Sequence, residues 1–206
     1  YTMDNTFYHP ELKFKFTYPL GWTLTNAPTQ VTVQPADGKA LILFTLSGQK
    51  TLQAAADTAL AQYGLQLQRA EKRTVNGLQA LVTLSKQQSQ DQQTGQVSTN
   101  MVLSYFIQYG SGIYMFHSVS SEADFASYST TMEASMKTFA QLTDPSRINV
   151  KPKRVYVKKA PRAGTLASTL SYYNMPQAMM EELALLNNME LTDQVPAGKL
   201  IKIVSE

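Results

Sequence analysis

Residues able to carry chemistry are few in this chain and scattered along it. His9 precedes Pro10, and His117 sits inside an alternating apolar run. Neither belongs to an H-E-x-x-H helix, where two imidazoles one turn apart hold zinc beside a glutamate base. Each is expected to serve packing or surface, and no metal site is expected. Cysteine is absent, which removes disulfides, thiolate nucleophiles and cysteine-based zinc sites. There is no G-x-S-x-G elbow, and Ser118–Ser121 reads as a strand end followed by a helix cap. Gly110-Ser111-Gly112 reads as a hairpin turn, since no phosphate loop or G-x-G-x-x-G surrounds it. Glu181-Glu182 are adjacent on an expected helix, so their carboxylates point apart and suit a solvated face better than acid–base work. No catalytic residue and no cofactor is therefore expected.

Charge is distributed unevenly. The net charge is +3, yet residues 1–144 carry 9 basic against 10 acidic side chains and residues 145–206 carry 9 against 5. Arg147, Lys151, Lys153, Arg154, Lys158, Lys159 and Arg162 follow one another with no acid between them. Such a stretch is either a solvated interdomain strap or a surface for acidic lipid headgroups, nucleic acid or a phosphorylated polymer. Tyr156 is its one aromatic residue, which is poor support for base stacking, and no nucleic acid is expected.

The elements that must position these residues follow from period and punctuation. The chain has 206 residues, 43% hydrophobic and 16% charged, enough for one large or two modest domains. No apolar run approaches the roughly 18 residues of a membrane-spanning helix. Leu12, Phe14, Phe16 and Tyr18 alternate with polar residues, as a half-buried strand requires. Trp22–Leu24, Val31–Val33 and Ala40–Phe44 suggest further strands, the last entered through an Asp37-Gly38 turn. Thr51 is placed to cap a helix ending at Gly64. Asn76-Gly77 predicts a hairpin between Gln66–Val75 and Leu78–Leu84, and the Gln/Ser-rich stretch Gln87–Thr99 is expected to be a long solvated loop. Met101–Tyr109 and Ile113–Val119 read as paired strands. Ser121 and Asp124 then open a helix whose Phe125, Tyr128, Met132 and Met136, with Phe139, cover a sheet face.

The pattern changes after Asp144-Pro145-Ser146. Val155–Val157 is a short strand, Thr165–Tyr173 and Met179–Leu186 are two helices joined by Asn174-Met175-Pro176, and Leu200–Ile203 closes the module. Met175, Met179, Met180 and Met189 have the spacing of core residues. The fold class is thus α+β: an antiparallel sheet with packed helices, then a small βααβ domain.

This closing module resembles the LysM domain, a small unit binding peptidoglycan and chitin. The matching pieces are Val155-Tyr156-Val157-Lys158, Thr165-Leu166-Ala167-Ser168 with Tyr172-Tyr173, Glu181-Glu182-Leu183 with Leu186-Asn187, and Ala197 to Ile203. The family's Gly-Asp before Thr-Leu is Ala163-Gly164 here, reached through Ala160-Pro161-Arg162. The earlier part, through Phe14–Tyr18, Pro19-Leu20-Gly21-Trp22 and the Phe125–Phe139 helix, resembles the PsbP-like α/β/α sandwich. Their pairing, opened by Tyr8-His9-Pro10-Glu11-Leu12, resembles the C-terminal accessory region of bacterial envelope zinc metalloproteases related to the CAAX prenyl proteases.

The resemblance implies a PsbP-like domain over 1–144, a basic linker over 145–154 and a LysM-like domain over 155–206. It further implies a non-catalytic region in the bacterial envelope, on the periplasmic side. Its partners would be an upstream protease domain and peptidoglycan or another N-acetylglucosamine polymer. LysM domains contact glycan through the loop before the first helix and the loop after the second, so Thr165, Asn188, Thr192, Asp193 and Gln194 are the binding candidates. A purely structural region packing on a protease and an unrecognised stand-alone hydrolase are the alternatives.

Overall fold

A computed structural model describes residues 1–150 and 154–205. The chain divides into two compact units, Tyr1–Asn149 and Val150–Glu206. In the first unit the strands are β1 (Thr2–Met3), β2 (Thr6–His9), β3 (Phe14–Thr17), β4 (Thr23–Asn26), β5 (Val31–Gln34) and β6 (Ala40–Ser47). Helix α1 (Leu52–Gln62) follows, then β7 (Gln66–Val75), β8 (Leu78–Gln90), β9 (Val97–Tyr109) and β10 (Gly112–Ser121). Helix α2 (Phe125–Met136), β11 (Ala140–Gln141) and the single turn α3 (Pro145–Ile148) complete it.

Seven strands form one sheet in the order β4-β5-β6-β10-β9-β8-β7, and a smaller sheet runs β1-β2-β3-β11. Every pairing is antiparallel. Alternation splits the large sheet into two working faces. Ile42, Phe44, Val82, Tyr105, Ile107, Tyr114 and Phe116 face the small sheet and α2, meeting Phe7, Phe14, Phe16, Met132, Met136 and Phe139 in the main core. Aromatic rings dominate this layer: Phe44 and Phe116 have centroids 4.7 Å apart, and Phe14 and Phe139 5.4 Å. Leu81, Phe106, Ile113 and Met115 face the other way, against the alanine stripe Ala55, Ala56 and Ala59 of α1. The short alanine side chains let α1 lie close to the sheet. Thr51 caps it as its spacing predicts, its hydroxyl accepting from Ala54 N at 3.1 Å.

The Asn76-Gly77 turn is present, with positive φ at both residues (47° and 82°). Asn76 does more than turn the chain: its amide donates to the carbonyls of Lys137 and Phe139, at 3.0 and 2.8 Å, tying the hairpin to the end of α2. The expected loop at Gln87–Thr99 is corrected. It is a continuation of the β8–β9 hairpin, paired Gln87↔Asn100 through Gln90↔Val97. The turn is confined to 91–96, where the Asp91 carboxylate accepts from the amides of Gln93 and Thr94, both at 2.8 Å. Ser121 and Asp124 bond each other reciprocally, hydroxyl to carboxylate at 2.8 Å and amide to hydroxyl at 3.1 Å. The Asp124 side chain makes no capping bond to α2 itself.

The second unit contains β12 (Arg154–Lys159), β13 (Gly164–Thr165), α4 (Leu166–Tyr172), a single 3₁₀ turn (Gln177–Met179), α5 (Met180–Asn187), β14 (Gln194–Val195) and β15 (Leu200–Ser205). β12 pairs antiparallel with β15, and β13 with β14. Leu166, Leu170, Met180, Leu183, Val195, Ile201 and Ile203 form its core. Met175, Met179 and Met189 are half-buried around that core, the packing role their spacing predicts. Asn187 binds the edge of β15: its carbonyl accepts from Lys202 N at 2.7 Å and its amide donates to Lys202 O at 2.8 Å.

The basic stretch is not uniform. Arg147 belongs to α3, its carbonyl accepting from the Tyr1 hydroxyl at 3.0 Å and its guanidinium standing 5.5 Å over the Tyr8 ring. Lys151 and Lys153 lie outside the described residues. Arg154, Lys158 and Lys159 are on β12.

Candidate functional site

The two loops carrying the five candidates meet. The loop after β12 ends in Gly164 and Thr165, and the loop after α5 ends in Gln194 and Val195. These four residues form the two-residue ladder β13–β14, with Gly164 opposite Val195 and Thr165 opposite Gln194. Two further backbone bonds extend the junction, Leu166 N to Asp193 O at 2.9 Å and Ala167 N to Leu191 O at 3.0 Å. Val195, 1% exposed, anchors the ladder in the core.

Each candidate side chain then has a distinct position. Thr165 caps α4, its hydroxyl accepting from Ser168 N at 3.2 Å. Asp193 closes its own turn, the carboxylate accepting from Glu190 N at 2.9 Å. Thr192 and Gln194 are exposed, with no side-chain hydrogen bond among the described residues. Asn188 stands apart from these four: it ends α5 with φ of 52°, a left-handed position that Asn tolerates. The ladder therefore brings Thr165, Thr192, Asp193 and Gln194 to one region, and Asn188 serves the backbone of α5.

On α5 and the turn after it lies an open recess of about 340 Å³, walled by Glu181, Ala184, Leu185, Met189, Glu190, Leu191 and Thr192. Of the five candidates, Thr192 alone lines it. Apolar side chains alternating with two carboxylates and a hydroxyl can meet the face and edge of a sugar ring, whose C–H groups pack while its hydroxyls bond. The first loop adds backbone more than side chains. Ala160 is 2% exposed and exchanges bonds with Gly198 and Lys199, both at 2.8 Å. A Cβ on Gly164 would fall 2.6 Å from Ser168 Oγ. A side chain there would have to displace that hydroxyl, which now donates to the Thr165 carbonyl.

The first unit holds two polar arrangements that spacing did not reveal. Arg73 on β7 donates to the Tyr105 hydroxyl at 3.1 Å and to the Glu133 carboxylate at 3.0 Å, while Tyr105 donates to the same carboxylate at 2.6 Å. Burial pushes the Glu133 carboxyl up, but the bonds from Tyr105 and Lys137 outweigh it and hold the group below its ordinary value. This cluster fastens α2 to β7 and β9. His117 on β10 is 3% exposed and bonds Ser104 Oγ through Nδ1 at 2.8 Å. Burial pushes its pKa down from 6.5 to about 4. Its Nε2, together with Thr83 Oγ1 and Ser85 Oγ on the same sheet face, is buried without a hydrogen-bond partner in the protein. His117 also floors a recess of about 90 Å³ whose walls are Leu41, Leu43, Leu65, Val102 and Val119. His9 is half-buried, accepts from Leu12 N at 3.1 Å and stacks on Phe14. Among the described residues no three His, Asp or Glu side chains are grouped to hold a metal ion. No helix among them is long and apolar enough to cross a membrane.

No protein-family model matches the chain. No curated protein sequence matches it either. Similar backbones do occur among solved structures. Cyanobacterial PsbP (CyanoP) from Synechocystis is 13% identical, with a TM-score of 0.49 over 66% of this chain and 91% of that one. A protein from Bacteroides thetaiotaomicron is 12% identical, with a TM-score of 0.48 over 99% of this chain and 87% of that one. LpqN of Mycobacterium tuberculosis, described as involved in cell envelope biogenesis, is 12% identical, with a TM-score of 0.43 over 63% of this chain and 83% of that one. In each case the likeness is one of backbone shape.

Proposed function

We propose that this chain is a non-catalytic binding region of the bacterial envelope, in which the small unit engages a polymer of N-acetylglucosamine, peptidoglycan first among them. The first unit then serves as a docking platform, and the chain as a whole accompanies a zinc metalloprotease domain. The observation that carries the glycan reading is the β13–β14 ladder. It sets Thr165 and Gln194 side by side and leaves Thr192 and Gln194 exposed, with Thr192 lining an open recess of mixed polarity. Thr165 and Asp193 each spend one acceptor on the local backbone, so the site offers a sugar fewer free groups than its composition suggests. Shallow sites with few polar anchors bind weakly, and a dissociation constant of the order of a millimolar follows.

Titrating the full chain with N-acetylglucosamine oligomers, followed by amide chemical shifts, tests this. Saturable shifts at Leu191–Val195, reduced several-fold by Thr192→Ala with Gln194→Ala, are expected. An unresponsive ladder, or shifts untouched by that pair of changes, would overturn the reading.

A further inference from the structure

One face of the second unit is largely exposed and carries none of the glycan candidates. Strand alternation puts Arg154, Tyr156 and Lys158 on the side of Ile201 and Ile203, which are buried beneath the helices. Val155, Val157 and Lys159 therefore share the other face with their partners Val204, Lys202 and Leu200. On it Val155, Val157 and Leu200 are 54%, 57% and 60% exposed. Where the strip reaches α5 it borders an open groove walled by Val155, Val204 and Leu186, and by Leu185, itself 82% exposed. On this face Lys159 and Lys202 thus stand among the apolar side chains Val155, Val157, Leu200 and Val204.

The charges around this strip have no acidic partner among the described residues, although Lys202 Nζ donates to the Leu186 carbonyl at 3.1 Å. Among the described residues every ion pair between Lys or Arg and Asp or Glu lies in the first unit. The second unit's acids, Glu181, Glu182, Glu190 and Asp193, are on α5 and the turn after it. Of these, Glu182 reaches the groove. Arg154, Lys158, Lys159, Arg162, Lys199 and Lys202 are all exposed.

The geometry points to the β12–β15 face as a docking surface for an anionic lipid bilayer, with Val155, Val157 and Leu200 entering the headgroup boundary and the lysines meeting the lipid phosphates. Three features select this partner. Lysine is depleted from the cores of protein interfaces, yet here it is interleaved with the apolar residues themselves. On a membrane that interleaving is favourable, because the lysine stem lies along apolar surface while the ammonium reaches the phosphate layer. Nucleic acid would want aromatic rings to stack on, and the outward face has only aliphatic ones. The proposal does not rest on the glycan reading: none of its residues belongs to the β13–β14 ladder, and Leu185 alone borders both openings.

Flotation of the full chain with vesicles tests it, comparing phosphatidylcholine alone with phosphatidylcholine containing about 30% phosphatidylglycerol. Binding to the anionic vesicles only, falling steeply as salt rises, is expected. Each lysine near such a surface is worth roughly fivefold in affinity, so Lys159→Gln with Lys202→Gln should weaken binding about thirtyfold. Val157→Ser with Leu200→Ser, which leaves the charge intact, should cost roughly tenfold. The amide chemical shifts of the second unit, away from the changed residues, and the circular dichroism of both double variants should match the parent, showing that folding is retained. Absence of binding, equal binding to neutral vesicles, or binding unchanged in either folded double variant would overturn the proposal. So would undiminished binding of the Val157→Ser, Leu200→Ser chain together with equal affinity for a soluble polyanion, which would mean charge without insertion.

Discussion

His117 should make the first unit acid-labile well above the pH at which its carboxylates titrate. The imidazole is 3% exposed, enclosed by Tyr63, Phe106 and aliphatic walls, with the Ser104 hydroxyl as its one polar contact. Burial alone lowers its pKa, from 6.5 to about 4. In the unfolded chain the ring takes up a proton as pH falls through 6.5, whereas in the folded protein it stays neutral until about 4. The unfolded state therefore binds more protons throughout that window. Stability is fully present above it and is lost as pH falls. A displacement of this size is worth about 3 kcal/mol when complete. About 2 kcal/mol of it is lost between about pH 7 and pH 5. Trp22 is the sole tryptophan and packs against Tyr128 in the first unit, so its fluorescence reports urea unfolding of that unit. The parent should lose this amount between the two pH values. His117→Gln, destabilised at neutral pH but unable to titrate, should lose far less. His9, also lowered mainly by burial, contributes equally to both proteins and cancels in the comparison. An identical pH slope in parent and variant would refute the assignment.

Two other outcomes follow from particular contacts. Asn76→Gly keeps a residue that accepts the positive φ but removes two donors to the end of α2, so the first unit should lose about 1–2 kcal/mol in urea titrations. Asn76→Ala should lose more, since it adds backbone strain. Gly164→Ala should force the Ser168 hydroxyl off the Thr165 carbonyl, which it now meets at 2.8 Å, at a cost of about 1 kcal/mol to the second unit. Ser168→Ala in the same chain should remove most of that penalty, as thermal unfolding of the double variant would show.

What was legible in the sequence was whatever left a local mark. Thr51, Asn76-Gly77 and Gly64 announce a cap, a turn and a helix stop, because each conformation demands those residue types. The alternation of Met101 through Tyr109 announces a strand because one of its faces is buried. The outer half of the β8–β9 hairpin has both faces in water, so period two disappears and backbone pairing, with polar bonds such as Ser89 to Ser98 at 2.7 Å, holds it. A glutamine-rich strand of that kind looks like a loop. The two-residue strands β11, β13 and β14 are too short for any period. They exist because distant chain arrives beside them, and that is why the meeting of Thr165 with Gln194 could not be read from spacing. His117 is a similar case: a histidine at an alternating position does not reveal whether its ring nitrogen will find a partner.

The small sheet of the first unit is finished by the last strand of that unit. β3 pairs with β11 through Phe14↔Gln141, and Leu142 N closes onto Lys13 O at 2.8 Å. During synthesis, Phe7, Phe14 and Phe16 leave the ribosome early, but Met132, Met136 and Phe139, against which they pack, emerge about ten seconds later at ordinary elongation rates. For that interval the aromatic hairpin can meet Phe44 of the large sheet but lacks the cover of α2 and Phe139. A nascent chain halted before residue 139 would expose these rings, whereas one released after Leu142 has every layer of the first unit in hand.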